Sequence, residues 1–271
     1  MLSGLIIYSP IDKEKNVWFI DKCRDSFAEK GISLLYKDES ESLEYIDNNN
    51  IDFIIYRGRD YQLVEQFESR NIKCFNNSLA NKIANDKYLT YQFLLKQNVS
   101  CIPSFLSYEE VDSESVIMKS VNGHGGNEVF LVRSKEEADA ICNKLQKKMI
   151  YQKFYKNQGD LRLYLLNKKV VGAVIRNSDK DFRSNFSLGG SVKPYEPDKE
   201  VVAIAERIAQ LLNADYIGVD FLKVNNKWMV NEIEDPVGAR MLYKTSNIDI
   251  ISLYVNYIFS LTYFSKKPPL L

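Results

Sequence analysis

Three acidic residues, Asp220, Glu232 and Glu234, flank a turn that centres on Asn225, Asn226 and Lys227, and Gly218 to Asp235 reads as strand, turn and strand. With those three residues as the loop, Val224 faces Trp228, Leu222 faces Val230, Asp220 faces Glu232 and Gly218 faces Glu234. Side chains two apart on a strand share a face, so the three carboxylates converge in one patch. Like charges placed opposite each other cost stability and ask for a cation. Hard oxygen donors without His or Cys suit magnesium or manganese, not zinc. A solvated strand face accounts for the same residues, and a two-residue loop puts Asp220 opposite Asn231 instead. Spacing alone leaves both readings open.

A cationic counterpart lies upstream. Lys119 sits on a strand of alternating pattern, Ser115 to Val121, and Asn122-Gly123-His124-Gly125-Gly126-Asn127 follows at once. Glycines let backbone N–H groups approach phosphate oxygens closely, and a lysine just before them supplies neutralising charge. A tight hairpin uses the same glycines, so the loop is weak evidence by itself. Lys87, near the start of its helix, reads in isolation as a solvated surface residue. His124, the one histidine, has no acid or nucleophile beside it in sequence and reads as a loop residue without catalytic duty. Arg183, within Asp181-Phe182-Arg183-Ser184-Asn185, suits planar, two-pronged recognition of phosphate or an acyl phosphate, with an exposed salt bridge as the alternative.

The elements that must position these residues divide the chain. At 271 residues it is long enough for about two domains. With 45% hydrophobic and 27% charged residues it is an ordinary globular composition, which excludes a collagen-like or disordered chain. Lys plus Arg equals Asp plus Glu at 36 each, so no global field exists to hold nucleic acid or an anionic membrane. Cys23, Cys74, Cys101 and Cys142 form no CxxC and read as reduced thiols of a cytoplasmic protein. The opening MLSGLIIYSP lacks the basic flank of a secretory signal. Ile250 to Phe264, interrupted by Ser252, Asn256 and Ser260, falls short of the roughly 20 residues of a bilayer span and reads as a buried helix.

Apolar runs at Leu5 to Tyr8, Ile32 to Tyr36 and Ile51 to Tyr56 alternate with amphipathic stretches, predicting parallel β-α-β units up to a boundary near residue 80. No GxGxxG follows the first strand. A helix is predicted from about Asp86 to Asn98, and strand, glycine loop and strand then form a hairpin, with Glu128 to Val132 as its second arm. Lys199 to Asn213 is an amphipathic helix with Val202, Ala205, Ile208, Ala209 and Leu212 on one stripe.

Taken in order, these pieces resemble the ATP-grasp superfamily, most closely its RimK-like branch of carboxylate–amine ligases, which contains the ribosomal-protein glutamate ligase. The resemblance covers roughly Asn76 to Phe259 and rests on several motifs. They are Asp86-Lys87, Met118-Lys119 with its glycine loop, Tyr151-Gln152-Lys153-Phe154, Gly159-Asp160-Leu161-Arg162, Phe182-Arg183-Ser184-Asn185, Gly189-Gly190, Gly218-Val219-Asp220 and Asn231-Glu232-Ile233-Glu234. The run Lys244-Thr245-Ser246-Asn247-Ile248-Asp249-Ile250 is similar to the same branch.

The resemblance implies an α/β (α+β) ATP-grasp fold: two α+β subdomains sandwich ATP, after a small Rossmann-like domain. Residues 1–80 would be that first domain, 81–150 the N-terminal subdomain with its glycine-rich lid, and 151–271 the C-terminal subdomain with the metal site. Lys87, Lys119, Gly123, Gly125 and Gly126 would meet the ATP phosphates; Gln152, Lys153, Phe154 and Tyr155 the adenine; and Asp160 the ribose side. Arg183 would bind the reacting phosphoryl group with Asn185 nearby, and Asp220, Glu232 and Glu234 would hold one or two magnesium or manganese ions.

The implied reaction joins a carboxylate to an amine, with small molecules or peptides as substrates and neither nucleic acid nor membrane as partner. ATP phosphorylates the carboxylate and leaves as ADP, and the amine displaces phosphate from the acyl phosphate. A small-molecule kinase and a non-catalytic ATP-binding protein are the alternatives. Homo-oligomers occur among relatives, but no sequence feature marks an interface. The chain departs from the branch at Glu234, where relatives carry Asn, and at Asp235-Pro236-Val237-Gly238-Ala239-Arg240, which replaces a small-residue, Pro-Gly turn. Arg240 is a candidate to grip a substrate carboxylate, with a structural salt bridge as its alternative.

Overall fold

A computed structural model describes residues 2–156, 160–177 and 191–265. The chain builds β1 (Ser3–Tyr8), α1 (Pro10–Ala28), β2 (Ser33–Asp38), α2 (Glu39–Asp47), β3 (Phe53–Tyr56), α3 (Tyr61–Ser69) and β4 (Lys73–Phe75) into a parallel sheet of order β2-β1-β3-β4. Alternate residues of its central strands feed two different cores. Leu5, Ile7, Ile54 and Tyr56 pack on Leu63, Val64 and Phe67 of α3. Ile6, Tyr8, Phe53 and Ile55 pack on Phe19, Cys23 and Phe27 of α1. Both faces are therefore covered, as a parallel sheet requires. That second core continues into the C-terminal half through Tyr164, Tyr216, Val237 and Leu242.

The sequence then forms α4 (Ser78–Ala84) and α5 (Lys87–Lys96), whose N-caps Asn77 and Asp86 accept from backbone N–H groups of the first turns. A three-stranded antiparallel sheet, order β6-β5-β7, follows from β5 (Val116–Ser120), β6 (Val129–Val132) and β7 (Met149–Lys153), with α6 (Lys135–Leu145) between the last two. The hairpin expected around the glycine loop is the β5–β6 pair, with Lys119 opposite Val129.

The third sheet, order β10-β9-β8-β11-β12, is antiparallel and comprises β8 (Asp160–Leu166), β9 (Lys169–Asn177), β10 (Ser191–Pro194), β11 (Tyr216–Val224) and β12 (Lys227–Glu234). One face, with Leu161, Leu163, Val219, Phe221 and Ile233, packs on α7 (Lys199–Leu211). The buried stripe of α7 starts at Val201, not Val202, and runs through Ala205, Ile208 and Ala209. After α8 (Arg240–Thr245), the apolar run becomes α9 (Ile250–Ser265), which buries Ile250, Ile251, Tyr254, Val255 and Ile258 in the core it shares with α1. Among the described residues no helix is long and apolar enough to cross a membrane, and the four cysteines are unpaired.

Two buried polar side chains fasten the parallel sheet to the rest. Asn76, just after β4, accepts from the backbone N–H groups of Asp215 (2.6 Å) and Tyr216 (2.8 Å). Its amide donates to Tyr216 O (2.7 Å) and Asp235 Oδ1 (2.9 Å). Arg57, after β3, donates to Val237 O at 2.6 Å and lies over the Phe19 ring at 4.5 Å. Each bond joins segments far apart in sequence and orders the turn beside the acidic strand. Replacing Asn76 by Ala leaves buried donors and acceptors without partners, which costs about 1–3 kcal/mol for each group that water cannot reach. We expect Asn76→Ala to lower unfolding stability by about 3 kcal/mol or more, read as a lower urea midpoint at unchanged m-value; an unchanged midpoint would contradict the fastening role.

Candidate active site

The acidic hairpin turns through Asn225 and Asn226, both at positive φ (48° and 64°), so the loop has two residues and not the expected three. Asparagine tolerates this conformation, which matches the twist of a tight hairpin. Next to the turn Val224 pairs with Lys227, Leu222 with Met229 and Phe221 with Val230. Asn231 then has no partner, and the register shifts at this bulge. Beyond it Asp220 pairs with Glu232 and Gly218 with Glu234, the pairing expected for the acids. The bulge also lets Val230 and Ile233, three residues apart, enter the same core, which a regular two-residue alternation forbids. At Gly218 a Cβ would stand 2.8 Å from Val237 Cγ2, so glycine is required there for close approach of the following turn.

The site face of the third sheet carries an ionic array. Asp220 and Arg162 are cross-strand partners, as are Asp160 and Arg176. Arg162 holds Asp220 with two bonds of 2.6 Å and reaches Glu234 at 2.6 Å. Arg176 donates to Asp220 Oδ2 at 2.7 Å and to Asp160 Oδ1 at 3.0 Å. Lys119 Nζ lies 3.1 Å from both Glu232 Oε1 and Asn231 Oδ1, the side chain of the bulge residue. Burial opposes the charge on Asp220, yet Arg162 and Arg176 outweigh it and hold the carboxyl down at about 2. Asp160 moves the other way, because burial outweighs the pull of Arg176. Glu232 is also buried against its charge and lowered by Lys119 and Lys87.

Above this face lies a cavity lined by the glycine loop, Lys87, Asp160, Arg176, Asp220, Glu232 and Glu234. Lys87 Nζ donates to Gly123 O, and Asn122 Nδ2 donates to Asn85 O at 2.9 Å, so the loop is tied to the start of α5. Gly125 and Gly126 stand at φ 69° and 77°, where a side chain would be strained. Lys87, Lys119, Gly123, Gly125, Gly126, Asp160, Asp220, Glu232 and Glu234 thus come together from separate elements. Gln152, Lys153, Phe154 and Tyr155 do not line this cavity; they lie at the end of β7, and the Gln152 amide is committed to Ser104 Oγ at 2.8 Å. Arg183 and Asn185 lie outside the described residues. Arg240 forms no salt bridge among the described residues: its guanidinium donates to Lys15 O, at the kink where Asn16 leaves helical geometry within α1.

As they stand, the carboxylates are taken by cations, and no group of three or more His, Cys, Asp or Glu among the described residues is close enough to hold a metal ion. Their donor atoms and their placement on neighbouring strand positions fit a hard, oxygen-loving cation. The motif Gly159-Asp160-Leu161-Arg162 assigns Arg162 no role, and no motif includes Arg176. The available signal was Asp160 and Arg162 two apart on an otherwise apolar strand, which puts both on one face. Arg59, after β3, lines the same cavity and two neighbouring ones while paired to Asp12 at 2.7 Å.

A parallel sheet docked against two antiparallel ones, with cationic and acidic groups meeting in one cavity, is the arrangement of the ATP-grasp fold. The D-alanine–D-alanine ligase of Bacillus anthracis, solved with ATP, superposes with a TM-score of 0.78 over 98% of each chain at 15% identity. Residues 84–258 match the RimK-like ATP-grasp domain. The chain is 30% identical over 267 residues to an uncharacterized protein of Mycoplasma genitalium, covering 95% of this chain and 92% of that one. It is also 30% identical over 210 residues to a probable alpha-L-glutamate ligase of Haemophilus influenzae, covering 72% of this chain and 70% of that one. The chain belongs to the RimK-like ATP-grasp family.

Arg162→Gln leaves Asp220 with Arg176 alone and strips Glu234 of its guanidinium. Breaking such a buried pair costs about 3–5 kcal/mol, which we expect in urea unfolding at pH 7 without metal or nucleotide. Because the folded Asp220 carboxyl sits at about 2, below the ordinary 3.8, its contribution is complete above 3.8 and is lost as pH falls towards 2. The difference between the two proteins should therefore shrink over that interval; a constant difference would mean that Arg162 stabilises through packing.

Proposed function

We propose that the protein joins a carboxylate to the amine of an amino acid, with ATP converted to ADP and the carboxylate activated as an acyl phosphate. The observation that carries this reading is the meeting in one cavity of the lysine-bearing glycine hairpin with the acid–arginine sheet face. Lys87 and Lys119, with the backbone around Gly123, Gly125 and Gly126, bind the phosphates, where their charge offsets the charge that develops during transfer. The end of β7, Gln152 to Tyr155, receives the adenine, with Gln152 acting through its backbone because its side chain is committed to Ser104. Asp160 holds Arg176 at the phosphate cavity. Arg183 and Asn185 complete the phosphoryl side.

Asp220, Glu232 and Glu234 hold magnesium or manganese, which neutralises and orients the ATP phosphates when bound. In the chain's own chemistry Arg162 and Arg176 stand beside those carboxylates and can donate to phosphate oxygens in exchange. In this reading residues 1–80 shape the substrate side, 81–150 carry the glycine lid and 151–271 carry the acidic sheet. The substrate cavity, bordered by Asn16, Trp18, Arg59 and Arg240, has a cationic wall suited to an amino acid with a free carboxylate. The name of the Haemophilus relative points to glutamate as that amino acid. Unpaired thiols suit work in a reducing cytoplasm.

The test is incubation with magnesium, ATP, hydroxylamine and a panel of carboxylates beginning with N-acetyl-L-glutamate, read by mass spectrometry. Hydroxamate with ADP is expected, and Lys119→Met or Glu232→Gln should lower its rate roughly a hundredfold or more. A stable phosphorylated product would reassign the protein as a kinase, and no nucleotide consumption with any acid would refute the ligase reading.

A further inference from the structure

Amide formation leaves protons to be placed, and this inference rests on the ligase reading above. An amino-acid amine is mostly protonated at pH 7. To become an amide nitrogen it sheds two protons, one before attack and one as the carbon–oxygen bond breaks. The departing phosphate takes up the second as hydrogen phosphate; the first needs a base beside the acyl carbon.

The carboxylates that line the phosphate cavity are already acceptors. Asp160 and Asp220 accept from Arg176, Glu232 from Lys119 and Glu234 from Arg162. Glu128 pairs with Lys147, and Asp235 accepts from Asn76 and Asn81. His124 differs from all of them. Its ring lines both the phosphate cavity and the cavity by Arg59 and Arg240, and among the described residues it makes no hydrogen bond or ion pair. It stands at the tip of the loop whose Gly123 carbonyl is held by Lys87, so the phosphate-binding contacts also set its place.

We infer that His124 is the base that takes the first proton from the attacking ammonium, with the neutral amine then closing on the acyl carbon. The charged groups facing the ring are Asp12 and Lys15 of α1, Arg59 after β3, Lys87 of α5 and Glu128 before β6. Burial first, then Arg59, Lys87 and Lys15, hold the imidazole below its usual 6.5 against the opposing pull of Asp12. A neutral ring at pH 7 follows, and a neutral ring accepts a proton.

Hydroxylamine separates this role from the others, because its nitrogen is already neutral at pH 7. The unaltered protein and His124→Gln are compared with the acid of the panel that yields hydroxamate, using hydroxylamine or L-glutamate as nucleophile. The ratio of amide to hydroxamate should fall about a hundredfold in His124→Gln, and the plateau of the amide pH–rate profile above the imidazole midpoint should give way to a rate that keeps rising with pH as free amine becomes populated. An unchanged ratio and profile, or equal loss of both products, would overturn the assignment. Absence of hydroxamate from the unaltered protein would instead refute the ligase reading. Because the chain has one histidine, NMR of its imidazole C–H groups reads the titration without any substrate. Arg59→Gln should raise the midpoint by removing a like charge, and a wild-type imidazole that is mostly protonated at pH 7 would also overturn the role.

Discussion

The site depends on Asp220 remaining charged in a place where water does not reach it. A carboxylate taken out of water without partners would neutralise or unfold its surroundings. Here Arg162 and Arg176 come from the two strands on one side of β11, and their bonds to Asp220 tie β8, β9 and β11 together in addition to the backbone ladder. The opposite face of the same strands is apolar and packs on α7. One sheet therefore has a dry side that supplies stability and a charged side that supplies chemistry, and strand alternation keeps them apart.

The junction with the parallel sheet follows from a second constraint. Asp235 is buried beside Glu234, and burial pushes its carboxyl above the ordinary range while Asn76 and Asn81 donate to it. Asn85 donates to the Asp235 carbonyl at 2.8 Å, and Arg57 takes the Val237 carbonyl. The turn after the metal-type acids is thus held from the N-terminal side of the chain. Side-chain amides do much of this holding. Arg240, at the end of the turn, is bonded to Lys15 O, so the same turn also ties down the kink in α1.

Much of this was legible in the residues. The alternating apolar runs of the first eighty residues and the glycine hairpin follow from periodicity and residue type. What escaped was compensated error. Asn225-Asn226 makes a two-residue turn, and the bulge at Asn231 restores the register that a three-residue loop would have produced. Turn chemistry is local and readable in principle, whereas a bulge answers to which side chains the distant core will accept. The arginine partners escaped for a related reason: Arg162 and Arg176 acquire meaning only once β8 and β9 lie beside β11, a long-range fact.

The charge arrangement suggests how one scaffold serves two states. Asp160, Asp220, Glu232 and Glu234 face Arg162, Arg176 and Lys119, and Lys87, at the start of α5, stands nearby, bonded to the glycine loop. Without ligand each charge has an opposite within the protein, so the site does not collapse or recruit solvent to stay folded. In the proposed reading, a nucleotide with its cation would bring both signs at once, phosphate oxygens for the lysines and arginines and a cation for the acids. Exchange of partners then leaves no buried charge alone at either stage. Glu234 and Glu232, less buried than Asp220, are the acids with room to exchange, whereas Asp220, gripped from two strands, is the fixed point about which they do so.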